Sequence, residues 1–405
     1  MRHVTGHPPT PQLPVLIFGT HITALAVLRV LHSRGIESYV VDAMSDIIMR
    51  SRWYRPAERL LAETSDSDEL AEYLRSLTLP QAVLIACSDR WTSAVAGLPA
   101  DVRERFPASV PPLEAVEQFV DKFRFRDLVE GLGIPHPDTI ALGDLADLER
   151  ATAEELAAGF LKPTKSHLFH LEFGTKGFFV TSREEAASLV ERASAAGITL
   201  MLQEWIPGGP SRSYLIDGFV DLHGNLTTIL ARRRVRMDPP RIANTASHVT
   251  VPLAEVAEAP AMIRMLLEKV HYRGIFNVEV KFDVRDGRFK IIEVNPRPFW
   301  HIGHVERAGV DLPWMAYLDA QGLPVTAPAP YRTGRYGLYE ISDAAAVLRA
   351  WGSFRRPNGP VLGPWLWGDH TLLWWGDLGP GAVDLRRAVR RRVGNALKRL
   401  RGALR

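Results

Sequence analysis

The sequence predicts a mixed fold, α/β at its N-terminal end and α+β beyond, on three observations. The first ninety or so residues alternate short apolar strands with helical patterns, the signature of a parallel sheet with crossover helices. Phe276 to Phe299 is instead two alternating runs joined by Arg285-Asp286-Gly287, which reads as an antiparallel hairpin. At 405 residues, 46% hydrophobic and 23% charged, the chain is long and apolar enough for two or three globular domains.

Taken in order, Pro14 to Gly19 is a short apolar strand, Thr23 to Arg34 a helix, Ser38 to Asp42 a second strand and Ala82 to Ser88 another. Gly19-Thr20-His21 follows the first strand and opens a helix, where backbone N–H groups meet anions, although it is not a GxGxxG motif. Ser88 and Asp89 fall at the carboxyl end of a strand, where open α/β sheets bind ligands; the alternative is that they cap the helix starting at Trp91. Pro111-Pro112 and Gly133 to Pro137 bracket a helix that carries Lys122. Gln203 to Ile206 ends a strand, and Pro207-Gly208-Gly209 turns the chain into its next domain. In Arg232 to Arg236, alternation puts Arg232, Arg234 and Arg236 on one strand face, a grouping suited to phosphoryl or carboxylate ligands.

The hairpin carries the chemistry. A three-residue loop with Gly287 left-handed sets Phe289 opposite Asp283 and Glu293 opposite Glu279. One face then presents Glu279, Lys281, Asp283, Glu293 and Asn295. The other presents Val278, Val280, Phe282, Val284, Ile292 and Val294, interrupted only by Lys290. Two carboxylates facing across a ladder repel, so a cation is their natural partner, and an oxygen donor set suits magnesium. Arg297, two residues past Asn295, is placed to meet an anion beside that metal. The alternative is a solvated acidic hairpin neutralised by Lys281, Lys290 and Arg297.

Further segments occur in a telling order. Asp121-Lys122 precedes Gly133-Ile134-Pro135-His136-Pro137-Asp138-Thr139; Phe160-Leu161-Lys162-Pro163 comes next, then Leu202 to Gly209, then the hairpin. Together they resemble the ATP-grasp superfamily, from about Leu13 to about Leu323. Within it the chain is similar to the D-aspartate ligase-like carboxylate-amine ligases, also described as predicted ATP-dependent carboligases. That likeness rests on Arg29 to Arg52, Ile85 to Asp89, Arg234 to Pro240 and Glu279 to Arg297. Two segments depart from the pattern. Ser166 to Gly177, with Lys165, His167, His170 and Lys176 in or beside it, is not the Gly-rich GGxG type, and RIANTASHV comes after Pro240 where relatives often have a glycine.

The resemblance implies an N-terminal Rossmann-like pre-ATP-grasp domain over 1–112, a small lid subdomain over 113–205, a large subdomain over 206–325 and a C-terminal extension over 326–405. It implies ATP and Mg2+, or Mn2+, as cofactors, with Glu279, Glu293 and Asn295 holding the metal. Lys122 and Lys162 would neutralise phosphate oxygens, with Lys281 also beside the nucleotide. Gln203, Glu204 and Ile206 would hold the adenine, with Trp205 as a packing wall. Arg297, Arg234 and Arg236 would be the catalytic arginines. The implied partners are a small-molecule carboxylate and an amine, joined as an amide through an acyl phosphate with release of ADP and phosphate. Asp89 or a solvent path would take the amine's proton, and His301 and His304 read as structural or acceptor-pocket residues. Another use of ATP, such as carboxylation or phosphoryl transfer, and a non-catalytic nucleotide-binding role remain the alternatives.

Bulk properties narrow the setting. A single Cys87 allows no internal disulfide, no apolar run reaches membrane-span length, and the Pro-rich start lacks a signal-like apolar core, so a cytoplasmic protein is expected. Leu385 to Arg405 carries nine Lys or Arg and no acid, and removing them from the net +3 leaves the body at −6. Leu385, Val389, Val393, Leu397, Leu400 and Leu404 give this tail an amphipathic helical pattern. It is read either as a helix packed on its own domain or as a peripheral contact with an anionic membrane surface. No base-reading motif points to nucleic acid. Tyr331 to Glu340 is expected to add a strand, and Trp351, Trp365, Trp367, Trp374 and Trp375 to form core or a cover. Oligomeric state is not legible.

Overall fold

The computed structural model describes residues 12–19, 21–42, 47–164, 169, 172–239 and 244–390, leaving aside the side chain at 244. Lys165, His167, His170, residues 240–243 and the tail beyond 390 lie outside the described residues.

Four parallel strands, β1 (Val15–Phe18), β2 (Ser38–Asp42), β3 (Pro56–Leu61) and β4 (Val83–Ala86), form the first sheet in the order β3-β2-β1-β4. The runs VLIF and VLIA are buried on both faces, as a parallel sheet between helices requires. Val15 and Ile17 of β1 pack with Leu25, Leu28 and Leu31 of the helix Ile22–Ser33. Leu16 and Phe18 pack on the other side with Leu70, Leu74 and Trp91. The expected Rossmann-like unit is therefore present.

The lid sheet is antiparallel, in the order β5 (Thr139–Leu142), β7 (Leu200–Glu204), β6 (Gly159–Pro163), and is backed by the helix Arg183–Ala195. The third sheet has seven strands, ordered β12-β11-β8-β9-β10-β13-β14. They are β8 (Ser213–Val220), β9 (Leu226–Asp238), β10 (Asn244–Val251), β11 (Gly274–Asp283), β12 (Arg288–Asn295), β13 (Tyr336–Leu338) and β14 (Asp369–His370). One face of this sheet packs on the helix Ala259–Lys269.

Two stretches pack across the expected boundaries. The helices Leu113–Val120 and Lys122–Gly131 contribute Ala115, Phe119, Phe125 and Val129 to the core of the seven-stranded sheet. The region after 325 packs on the rest of the chain. β13 pairs with β10 and β14 with β13, and a fully buried Arg29–Asp377 ion pair at 2.9 Å ties this region to the first domain. The expected strand near Tyr331 to Glu340 is β13. The tryptophans divide: Trp365 and Trp374 are partly buried, but Trp351, Trp367 and Trp375 are exposed and none of these three is core.

The hairpin reaches the expected pairing by a different route. Glu279 does face Glu293, yet at the turn Asp283 faces Arg288 and Phe282 faces Phe289, one step from the expected register. A bulge between Glu279 and Val280 on one strand, at Ile292 on the other, absorbs that step. It also reverses the parity of the strand's first half. Ile291 is buried where Ile292 was expected, and Lys290 turns to the polar face with Asp283, 2.9 Å away. Val284 lies in the turn, half exposed, with Gly287 left-handed at φ 73° as expected.

Candidate active site

All three sheets border one cleft of about 920 Å³. His21, Thr23 and Asp89 reach it from the first domain, Phe160, Lys162 and Gln203 from the lid, and β9, β11 and β12 supply its floor. Strand alternation explains the floor. Asn277, Glu279 and Lys281 share one face of β11, while Val278 and Val280 point into the core beneath.

Three lysines converge on the carboxylates. Lys122 Nζ donates to the Thr164 carbonyl at 3.1 Å, and Lys162 Nζ to Gln203 Oε1 at 2.7 Å; Lys176 lines the same wall. Burial lowers all three ammonium groups from their ordinary range, while Glu293 pulls each back up. Lys162 falls furthest, to about 8, because Lys122 adds to the burial effect. Nucleotide affinity should therefore be level near neutral pH and weaken as pH rises through about 8, and Lys162→Arg should remove that inflection. Unfolding would not mimic the loss. The unfolded lysine titrates near 10.5, so between 8 and 10.5 the unfolded chain binds more protons and this group makes folding more favourable as pH rises. Calorimetric titration with ADP across that range, beside thermal unfolding, checks both signs.

Glu279 and Glu293 project from paired positions, and Asn295 pairs with Asn277 at the next polar-face pair. Glu279 is held bidentately by Arg234 at 2.6 Å, and Arg234 Nε also donates to Thr245 Oγ1 at 2.7 Å. Glu293 is exposed at the cleft. Asn295 Nδ2 donates to Asn277 Oδ1 at 3.1 Å, and Asn295 Oδ1 accepts from Arg297 at 3.2 Å. A hard divalent cation fits this all-oxygen set, since Arg234 already shows that a positive charge is needed at Glu279. Among the described residues no group of three His, Cys, Asp or Glu is placed to hold a metal, so further donors would come from the nucleotide and water.

Arg297 pairs with Asp89 at 2.6 Å, joining the β12 end to the first domain. Asp89 opens the helix Asp89–Ala96, whose N-cap is Ser88, so Ser88 plays the capping role and Asp89 faces the cleft. Arg236 does not join the site. It is 3% exposed, bidentate to buried Asp343, and donates to the Asn358 and Pro360 carbonyls, so its expected catalytic place is corrected to a structural one. The third arginine on that face, Arg232, lines the cleft instead while paired with Asp217 at 2.6 Å.

At the hinge the geometry narrows the expectation. The N–H groups of Glu204 and Trp205 donate to the Asp138 and Ala158 carbonyls. The Glu204 carboxylate takes Lys290 at 3.2 Å and Arg285. Gln203 is spent on Lys162 and Thr139. Ile206 lines the cleft as well, with Trp205 beside it. Lys281 Nζ lies 4.6 Å from the Trp205 ring centroid, a cation–π contact that fixes both side chains.

Sequence reasoning missed Asn277 and His248. Alternation back from Glu279 was enough to find Asn277. Nothing marked His248 in β10, whose ring packs 4.3 Å from His301 and 4.6 Å from His304. Burial holds His248 and His301 well below the usual imidazole range, and His304 Nδ1 meets Asp369 at 2.8 Å. Of the three, His301 reaches the cleft.

Solved structures share this fold. An N5-carboxyaminoimidazole ribonucleotide synthetase solved with ADP superposes with a TM-score of 0.62 over 84% of this chain and 85% of its own, at 15% identity. An L-amino acid ligase from Bacillus licheniformis gives 0.57 over 81% and 79%, at 14% identity. A family model described as ATP-grasp in the biosynthetic pathway with Ter operon matches residues 198–340. The chain has the ATP-grasp fold. It is also 25% identical to D-aspartate ligase of Enterococcus faecium (strain Aus0004) over 245 residues. That match takes in 58% of this chain and 56% of the ligase, so the chain spans only about half the length of this relative.

Proposed function

We propose that this ATP-grasp protein is an ATP-dependent carboxylate-amine ligase that forms an amide through an acyl phosphate and releases ADP and phosphate. The observation that carries this reading is the convergence of Lys122, Lys162 and Lys176 on Glu279 and Glu293, with Arg234 and Arg297 beside them in one cleft. Such chemistry depends on positioning and charge neutralisation more than on a protein nucleophile. The likeness to a D-aspartate ligase and an L-amino acid ligase supports the same class.

In this reading the lysines hold the phosphates, and Glu279, Glu293 and Asn295 hold Mg2+ or Mn2+, which supplies further neutralisation of phosphate charge. A substrate carboxylate oxygen attacks the γ-phosphorus, the bond to the β-phosphate oxygen breaks, and ADP leaves. An amine nitrogen then attacks the acyl carbon, and the C–O bond breaks to release phosphate. In this reading Arg297 and Arg234 stabilise the oxyanion. Asp89, which shares Arg297 with that oxyanion, is the proton acceptor we favour.

The test follows the oxygen. With 18O in the substrate carboxylate, one label should appear in phosphate for each amide formed, and hydroxylamine should trap a hydroxamate when the amine is withheld. AMP release, or phosphate without label from an active acid and amine pair, would overturn the reading.

A further inference from the structure

The C-terminal part of the described chain leaves an unusual surface. On the helix Glu340–Gly352, Leu348 is 50% and Trp351 56% exposed, Phe354 just beyond it is 101% exposed, and on the helix Leu362–Trp367, Leu366 is 61% and Trp367 84% exposed. These side chains are held out by a rigid base. Asp343 takes Arg236 bidentately and Trp365 Nε1 at 2.9 Å, and Arg236 also binds the carbonyls of Asn358 and Pro360, so one buried hub fixes both helices and the loop between them. Phe354 has φ 54°, the left-handed position after a helix that glycine usually fills, so an aromatic here costs backbone energy that burial in this chain does not return.

Charge says what covers this face. Every carboxylate from Glu340 to Arg390, namely Glu340, Asp343, Asp369, Asp377 and Asp384, is at most 4% exposed. The arginines of the same stretch, Arg355, Arg356, Arg386, Arg387 and Arg390, are exposed, as is Arg349, which pairs with Asp238 at 2.6 Å. The same face of a second copy would bring the same sign, and residues 391–405 add six more Lys or Arg and no acid, so neither complements the face. Aromatic rings beside arginines match the headgroup layer of an anionic bilayer, and the leucines have a use in acyl chains that they lack against stacked bases.

We propose that the surface of Leu348, Trp351, Phe354, Leu366 and Trp367, flanked by Arg355 and Arg356, docks the protein peripherally on an anionic phospholipid bilayer. This rests on surface chemistry alone and stands whether or not the ligase reading holds.

The full chain is floated with vesicles of phosphatidylglycerol in phosphatidylcholine, and with phosphatidylcholine alone. Binding to the anionic vesicles alone, weakened as salt shortens the screening length, is expected. The triple change Trp351→Ser, Phe354→Ser and Trp367→Ser should weaken it roughly tenfold or more, as should Arg355→Gln with Arg356→Gln, with thermal unfolding unchanged because all five side chains are exposed. Brominated acyl chains should quench tryptophan fluorescence of the unaltered protein. Truncation after Arg390 should retain the aromatic-dependent binding. No preference for anionic vesicles, unaltered binding by the aromatic triple variant, or binding to a single-stranded oligonucleotide in place of vesicles would each overturn the proposal.

Discussion

Glu293→Gln should fold as stably as the unaltered chain and lose turnover at least about 100-fold, the scale on which one charge-stabilising contact acts in a transition state. Glu279→Gln should lose turnover comparably and about 2 kcal/mol of stability as well. The difference lies in what each carboxylate does before any ligand arrives. Glu293 stands exposed at the cleft, whereas Glu279 closes a bidentate pair with Arg234, whose side chain is only 9% exposed. An amide at 279 keeps one acceptor and turns an NH2 toward the guanidinium, so one charge-assisted bond is lost and a partly buried cation is left under-neutralised. ADP release at saturating acid and amine, measured beside urea unfolding, separates the two effects. Near-normal ADP production by Glu293→Gln at ordinary magnesium would remove Glu293 from the site.

That the two glutamates face each other was legible in the sequence, although by compensation. The turn places the strands one step away from the expected register, and the bulge at Ile292 restores it before Glu293. A strand pattern carries side-chain parity but not a bulge, and the one symptom available was Lys290 on the supposedly apolar face. A charged residue out of phase with its strand signals a register change more cheaply than a buried lysine would. Lys122 opens a helix capped by Asp121, Lys162 lies in β6, and Gln203 and Glu204 end β7, so short local motifs were enough to place each on its element. Glu204 was placed correctly and its partners were not, since Lys290 and Arg285 lie more than eighty residues away in sequence. The same limit hid β14, a strand of two residues whose partner β13 lies some thirty residues earlier.

Strand alternation also made Arg232, Arg234 and Arg236 equivalent, and tertiary context divides them. Arg232 meets Asp217 on the adjacent β8 and Arg234 meets Glu279 on β11, one strand further, both at the cleft, whereas Arg236, nearer the end of β9, meets Asp343 from a helix packed across it. Arg236→Gln should accordingly cost about 3–5 kcal/mol, the range for stranding one member of a buried ion pair. Asp343 is fully buried, and two backbone carbonyls would lose their donor as well. Trp365 alone cannot neutralise that carboxylate. Turnover per folded molecule should stay within a few-fold of normal, while Arg234→Gln should reduce it on the order of 100-fold. The double change Arg236→Met with Asp343→Leu should recover much of the stability, because replacing both members of a buried pair by apolar groups is often close to neutral. Urea unfolding of the single and double variants, with activity corrected for folded fraction, reads all of this. If Arg236→Gln instead keeps its unfolding midpoint and loses turnover, Arg236 acts in the chemistry and its place in the buried hub has been misread.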